Sequence, residues 1–384
     1  MEAYLLDWLT LLARWAHIVV GIAWIGASFY FIWLDNHLEP AKDASFAGEL
    51  YAIHGGGFYR AQKYRVAPGE LPKTLHWFKW EAYWTWITGF VLLVLVYYVN
   101  AGFYLIDPAV MTLSTGAAIG VGLGSLVLGL VLYEGLCRSP LSETWLAAAL
   151  LIVLAIAAWA LTQVFSGRGA FIHFGAILGT IMAANVAHVI IPGQRELVRA
   201  KEEGRLPEGK YSLRGKQRSI HNTYFTLPVI FTMISGHHPV TFGHSWSWLV
   251  LVAMGLAGAL VRLWFVARHK GAAPAWTLVA GLLLVGVVIV MLSPRPQASG
   301  EAVSFPEVKR VLDLRCLSCH AERPSFPGLA EAPKGVKLDT PERIEAQRLQ
   351  IHQQTVLSRA MPPGNLTAMT DAERALLERW VRIK

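Results

Sequence analysis

Cys316-Leu-Ser-Cys319-His320 places two thiols three residues apart, with an imidazole directly after the second. That spacing reads as a c-type haem attachment site, in which both thiols bond to the porphyrin vinyls and the histidine takes one axial position on the iron. In bacteria this attachment happens on the outer side of the inner membrane. The motif therefore sets the side of the C-terminal part and announces electron transfer. The chain has one further cysteine, Cys137, most simply a small buried or interfacial residue. Three cysteines exclude a disulfide framework. A zinc site is disfavoured because no second pair of metal ligands follows the motif.

The other axial ligand is expected from a later loop. Met361, in Ala360-Met-Pro-Pro-Gly-Asn365, is the leading candidate because the two prolines hold the loop extended and direct the thioether inward. Methionine opposite histidine raises the potential and suits an electron acceptor. The alternative is that Met361 fills the core and His352 or Met369 ligates.

A second set of chemistry-bearing residues lies within apolar stretches, where polar and ionisable groups are costly and therefore functional candidates. Arg14 and His17 fall in the outer half of the first stretch, and His173 begins the fifth. Asn185 and His188 lie near the inner end of the fifth, and His221, Asn222 and Thr223 open the sixth. At about 1.5 Å per residue, His17 and His173 share the outer half, while His188 and His221 share a level near the cytoplasmic boundary. His173 and His188 are 15 residues apart, within roughly 60° of each other on one helix face. Two readings compete: stacked ligand pairs for b-type haems, or an inner pair belonging to a substrate site open to the cytoplasm. The plainer reading makes them interfacial histidines bonded to loops. His237, His238 and His244, on an outer loop, are metal-ligand types at an uninformative spacing.

The elements that must position these residues are membrane helices. Of 384 residues, 54% are hydrophobic and 16% charged, with a mean hydropathy of +0.42; that is not the composition of a soluble protein. Eight apolar stretches lie at roughly 6–34, 80–99, 109–133, 144–165, 170–191, 219–236, 246–267 and 273–292. Each is near or above the length of about 20 residues that crosses a hydrocarbon core of about 30 Å, the sixth being the shortest and most polar. Tryptophans at 77, 80, 84, 86, 246 and 248 read as interfacial anchors, and the glycines of the third stretch permit close packing.

Loop charge orients the bundle. Segment 35–79 carries Lys42, Arg60, Lys63, Arg65, Lys73 and Lys79, and segment 192–218 carries eight lysines and arginines from Arg195 to Arg218. Arg138, and Arg268 with Lys270, mark two further loops of the same side. The alternate loops, 100–108, 166–169 and 237–245, hold only Arg168. Positive charge marks the cytoplasmic side, so both termini are expected in the periplasm, in agreement with the haem motif. The start, Met1-Glu-Ala-Tyr-Leu-Leu-Asp7, lacks positive charge and is expected to open a retained span rather than a cleaved signal peptide. The net charge of +8 and pI near 9.4 come mainly from these topology determinants. With no nucleic-acid module present, nucleic acid is not an expected partner.

Ser293-Pro-Arg-Pro-Gln-Ala-Ser-Gly300 has the composition of a linker and leaves 84 residues after it, too few for a large core without a covalently held haem. Phe305, Val308, Val311 and Leu312 repeat at helical spacing before the motif. Thr370-Asp-Ala-Glu373 is a capping box opening a helix with Leu376, Leu377, Trp380 and Val381 on one face. A first and a last helix packed around a haem resemble the class I cytochrome c fold, and the Met-Pro-Pro placement belongs to that resemblance. The expected fold class is all-α: a polytopic membrane bundle of eight helices with a small class I cytochrome c domain.

Several segments together resemble one family. They are Arg14-Trp-Ala-His-Ile-Val-Val-Gly-Ile-Ala-Trp-Ile-Gly-Ala-Ser-Phe-Tyr30 with Leu34-Asp-Asn-His-Leu38, Glu81-Ala-Tyr-Trp-Thr-Trp86, Ala183-Ala-Asn-Val-Ala-His188 through Pro192-Gly-Gln-Arg195, and Ser219-Ile-His-Asn-Thr-Tyr-Phe-Thr-Leu-Pro228 through Gly236-His-His-Pro239. They look like the bacterial membrane-bound urate oxidase (urate hydroxylase), an eight-span domain fused to a cytochrome c. The resemblance implies a transmembrane urate oxidase domain over 1–292, a linker over 293–303 and a periplasmic cytochrome c domain over 304–384. It also implies oxidation of urate to 5-hydroxyisourate in purine breakdown, with electrons leaving through the cytochrome to a downstream cytochrome c or terminal oxidase. The expected location is the bacterial inner membrane.

Under that reading, Asn185, His188, Arg195, His221, Asn222 and Thr223 supply what a urate site needs: amides and a hydroxyl for the purine edge, histidine for proton transfer and arginine for charge. Cys316, Cys319, His320 and Met361 hold haem c, and His17 and His173 are the candidates for a b-type haem relay across the bilayer. The first span alone also resembles membrane haem-handling proteins. Two other classes remain open: a respiratory quinol-to-cytochrome electron-transfer protein, and a haem or metal transporter with a cytochrome sensor.

Overall fold

The computed structural model describes residues 2–268, 271, 274–293, 303–357 and 359–382. Between Ser293 and Val303 the expected linker lies outside the described residues, as does Lys270. The first helix, α1 (Glu2–Asn36), runs 35 residues without a break. After it, where only a charged loop is expected, stands an antiparallel hairpin of β1 (Phe46–His54) and β2 (Gly57–Tyr64). Gly55 and Gly56, with φ of +57° and +81°, make its two-residue turn, a conformation that suits strand twist and favours glycine. The Glu49 carboxylate accepts bonds of 3.0 and 2.5 Å from Arg60 and 3.0 Å from Gln62 on the other strand. The all-α expectation is corrected here: aromatic residues on either side of a glycine run carry a hairpin pattern that the segment's positive charges obscure.

α2 (Trp80–Leu92) ends in a wide π turn, Leu93–Tyr98, followed by the single-turn α3 (Ala101–Tyr104). α4 (Thr115–Arg138) starts at Ser114, whose hydroxyl accepts the Ala117 amide at 3.2 Å, and α5 (Glu143–Val164) follows. α6 (Gly167–Ala184) passes through a second π turn, Asn185–Ile190, directly into α7 (Ile191–Glu202). Next come α8 (Gly209–Ser235), the one-turn α9 (Pro239–Phe242), α10 (Ser247–Arg268) and α11 (Ala275–Met291).

Among the described residues six helical runs are long and apolar enough to cross a membrane: Tyr4–Asn36, Trp80–Tyr98, Thr115–Arg138, Glu143–Val164, Gly167–Glu202 and Ser247–Arg268. The remaining two expected spans differ. α11 has 17 residues, about 26 Å of helix. The other forms the second half of α8, whose first half carries Lys210, Arg214, Lys216 and Arg218. Nor is 192–218 a loop, because helix fills it apart from a short connection at 203–208. Pro192 lacks an N–H and reads as a helix end, but the π turn before it lets the chain continue.

The chain divides into two compact units. One comprises Met1–Leu92, Ala176–Ile230 and Met254–Val285; the other comprises Leu93–Gly175, Phe231–Ala253 and Gly286–Lys384. In the first, α1 packs on α2, and α10 approaches α8 and α11 closely where Gly258 meets Leu227 and Gly281 meets Val261. In the second, α4 packs on α5, and the C-terminal helices build a core of their own.

Those C-terminal helices are α12 (Phe305–Arg315), α13 (Leu317–His320), α14 (Pro341–Ala346), α15 (Arg348–His352) and α16 (Asp371–Arg382). Val308, Val311, Leu312, Leu377 and Trp380 are buried together, with Leu376 and Val381 against them, so the faces read from spacing are the faces that pack. The Thr370 capping box is reciprocal: the Thr370 amide donates to Glu373 at 2.7 Å and the Glu373 amide to the Thr370 hydroxyl at 3.2 Å. Thr370→Ala is expected to destabilise this helix by about 1 kcal/mol, read as earlier thermal unfolding of the C-terminal segment. In the same unit, the 361–366 loop rests on the backbone at 103–106. A Cβ on Gly364 would lie 2.4 Å from the Phe103 carbonyl oxygen, and the Phe326 and Phe103 rings meet edge to face at 5.3 Å.

Candidate functional site

The Cys-x-x-Cys-His residues occupy one helical turn. α12 ends at Cys316, whose carbonyl accepts the amides of Cys319 at 3.1 Å and His320 at 2.8 Å. Cys316 is buried, and burial pushes its thiol up to about 12, with the neighbouring Cys319 adding to the effect. The His320 Nδ1–H donates to the Val336 carbonyl at 2.9 Å, and the Leu338 amide donates back to the His320 carbonyl at 2.7 Å. With Nδ1 committed, the ring's lone pair sits on Nε2. The turn thus presents two thiols and one fixed imidazole nitrogen.

Met361 is held by its backbone. Its amide donates to the Gln354 carbonyl, and its carbonyl accepts from Arg374 Nη1, both at 3.0 Å. Arg374 also bonds to the Thr355 carbonyl and is buried, which lowers its guanidinium to about 10. Beside this loop the Asp107 carboxyl is raised by burial, against bonds from the Ala109 amide and the Asn365 side chain. Met369 belongs to the apolar core with Leu377 and Trp380, and His352 is half-buried on α15.

In the second unit His173 is fully buried. Its Nδ1–H donates to the Gly169 carbonyl at 2.8 Å, so Nε2 is the acceptor for the Tyr98 hydroxyl at 3.1 Å. Phe165 stacks on the ring at 4.8 Å. A Cβ on Gly122 would stand 2.6 Å from His173 Nε2 and 2.9 Å from the Tyr98 oxygen, so α4 closes the site only because position 122 has no side chain. An iron at Nε2 would have to displace the tyrosine.

In the first unit His17 faces Thr88 at 3.0 Å. The Thr88 hydroxyl donates its single proton to the Trp84 carbonyl at 2.6 Å, so His17 Nδ1 is the donor and Nε2 keeps its lone pair. Gly89 lies under this ring, where a Cβ would approach Cε1 to 2.9 Å. The expected inner cluster is only partly assembled. Asn185, at the start of the π turn, donates to Asn222 Oδ1 at 2.8 Å, and Asn222 donates to the Met182 carbonyl at 3.0 Å. Both amides are buried. Thr223 is buried too, its hydroxyl bonded to the Ser219 carbonyl of its own helix. His221 is half-buried beside Phe225, while His188 and Arg195 are exposed. Among the described residues no group of three or more histidines, cysteines or carboxylates gathers as a metal site, so His237, His238 and His244 are not brought together as one.

Sequence reasoning missed Tyr98, which reads as one of many interfacial aromatics, and Arg262, which disappears into the seventh apolar stretch. Arg262 on α10 is 7% exposed, and its guanidinium carbon lies 3.6 Å from the centroid of the Phe29 ring on α1. A charge inside an apolar span is itself the signal that finds it.

Comparison with curated proteins and with solved structures returned no match. Residues 3–293 match the model of the family described as urate oxidase, N-terminal, and the chain belongs to that family.

Proposed function

We propose that this chain is a membrane oxidoreductase that converts urate to 5-hydroxyisourate and passes the electrons to a haem c held by its own C-terminal segment. Family membership over 3–293 supports urate as the substrate, and the long apolar helices support a membrane setting. The observation that carries the electron-transfer half is the His320 ring. Its Nδ1 is fixed on Val336 and its Nε2 is left as the donor, one turn from two thiols. That donor set fits a covalently attached haem, with Met361 as the opposite ligand. When bound, the haem supplies a one-electron acceptor on the periplasmic side.

Urate and water give 5-hydroxyisourate, two protons and two electrons. The water oxygen bonds to C5, the protons leave to protein groups and solvent, and the electrons leave one at a time to a downstream cytochrome c or terminal oxidase. The chain's own part is to bind the planar anion, orient its C5 and accept protons. His188 and His221 are the proposed proton carriers. Asn185, Asn222 and Thr223 are proposed to face the purine edge, with Arg195 supplying charge. Of these, the Asn185–Asn222 bond is the preformed element, and its amides serve a ligand by exchanging that bond. His17 keeps an available Nε2, but His173 is engaged on both nitrogens, so no step is assigned to a second haem.

Mixing the purified, ferric full chain with urate in the absence of oxygen is expected to produce the sharp alpha band of ferrous haem c. A preparation that stays ferric through long incubation with excess urate rules the proposal out.

A further inference from the structure

The buried Arg262 lacks the partner that a buried guanidinium requires. Its Nε and Nη2 are both enclosed and have no hydrogen-bond acceptor among the described residues. Those two nitrogens form one edge of the guanidinium fork, the edge that binds a planar anion side-on. Arg60 of this same chain uses that pair, Nε at 3.0 Å and Nη2 at 2.5 Å, to hold the Glu49 carboxylate. At Arg262 the electrostatic neighbour is the Tyr224 phenol rather than a carboxylate, and Phe29 covers one face of the guanidinium. The ring contributes a cation–π attraction but no acceptor. A charge left inside an apolar span without an anion is costly, so such a residue marks a binding site.

We propose that Arg262 is a substrate-binding residue that takes a planar organic anion through two adjacent acceptors, namely the O=C–N⁻ amidate edge of urate, with Phe29 as the wall behind the fork. This rests on the urate reading above and deepens it. An amidate edge offers an oxygen and a nitrogen side by side, as a carboxylate offers two oxygens, and it matches Nε–H and Nη2–H in one plane. Tyr224, two residues beyond Asn222 on α8, adds a phenol beside the guanidinium. All of these residues belong to the first compact unit. The other anion able to reach an arginine about 9 Å from the helix end at Arg268 is a lipid phosphate.

The test uses the full chain in nanodiscs, comparing wild type with Arg262→Gln and Arg262→Lys. The readouts are the rate of anaerobic haem reduction against urate concentration, and thermal protection by urate. Arg262→Gln is expected to raise the KM for urate roughly 10- to 100-fold while dithionite still reduces its haem fully. Arg262→Lys, which keeps the charge but loses the fork, is expected to fall between the two. If Arg262→Gln does not fold, Arg262→Lys decides the question: weaker urate protection than wild type supports the proposal and equal protection overturns it. An unchanged KM in Arg262→Gln overturns it and leaves the urate reading standing. Protection of wild type by phosphatidylglycerol over phosphatidylcholine, lost in Arg262→Gln while urate protection is kept, assigns the arginine to lipid and overturns it. A wild type neither protected nor reduced by urate ends both readings together.

Discussion

His320→Ala is expected to abolish the urate-driven optical change while the membrane helices stay folded. The substitution removes Nε2, the ring's only uncommitted donor, and also the Nδ1–H bond to Val336 that fixes the ring at 2.9 Å. Changes to groups that merely orient a ligand cost roughly 10- to 100-fold, so loss of the ligand itself exceeds that range. A stopped-flow spectrum under argon checks it, with pyridine haemochrome analysis reporting how much haem stays attached through Cys316 and Cys319. His221→Ala is the contrasting variant. It should slow reduction by urate with the haem spectrum intact, because the proposed loss is a proton carrier and not the acceptor. Reduction of His320→Ala at the wild-type rate would remove the C-terminal segment from the electron path.

The second large effect belongs to position 122. Gly122→Ala puts a methyl group where His173 Nε2 stands 2.6 Å away and the Tyr98 oxygen 2.9 Å away, separations no real Cβ contact tolerates. The His173 ring has little room to retreat: it is fully buried, is stacked by Phe165 and is bonded to Gly169 through its other nitrogen. Overpacking of this kind costs about 1–3 kcal/mol. Breaking the Tyr98–His173 bond leaves a buried acceptor unpaired, a further penalty of about 1–3 kcal/mol. Tyr98→Phe separates the two, since it removes the hydrogen bond without adding bulk and should cost only the second amount. Denaturation of the detergent-solubilised variants measures both. A Gly122→Ala protein as stable as wild type would mean that α4 shifts freely at this level.

Local chemistry was legible in the sequence and long-range pairing was not. The Thr370 capping box and the packing faces of α12 and α16 each depend on residues within a few positions of one another, and each stands as spacing alone indicates. The hairpin at 46–64 is also local, but its strands sit among lysines and arginines that dominate any reading of the segment. The run of helix through Pro192 required the preceding π turn, which leaves no mark in a hydropathy pattern. Arg262 and Phe29 are separated by most of the bundle's sequence, and Tyr98 and His173 by 75 residues. Such pairs are set by helix packing, which one sequence does not reveal. The exposure of His188 and Arg195 makes the same point, because a helix periodicity places residues on a face without saying what covers it.

The bare backbone at Gly364 has a mechanical consequence. The loop that presents Met361 can press onto the Phe103 carbonyl only because nothing projects between them. The terminal eighty residues therefore have two moorings, the chain itself and this footing on the 103–106 strip. An added side chain at 364 would lift the loop by the width of a methyl group and leave the small domain folded but less firmly berthed. On the proposed electron path, delivery would then wait on random re-docking, and its rate would fall with solvent viscosity.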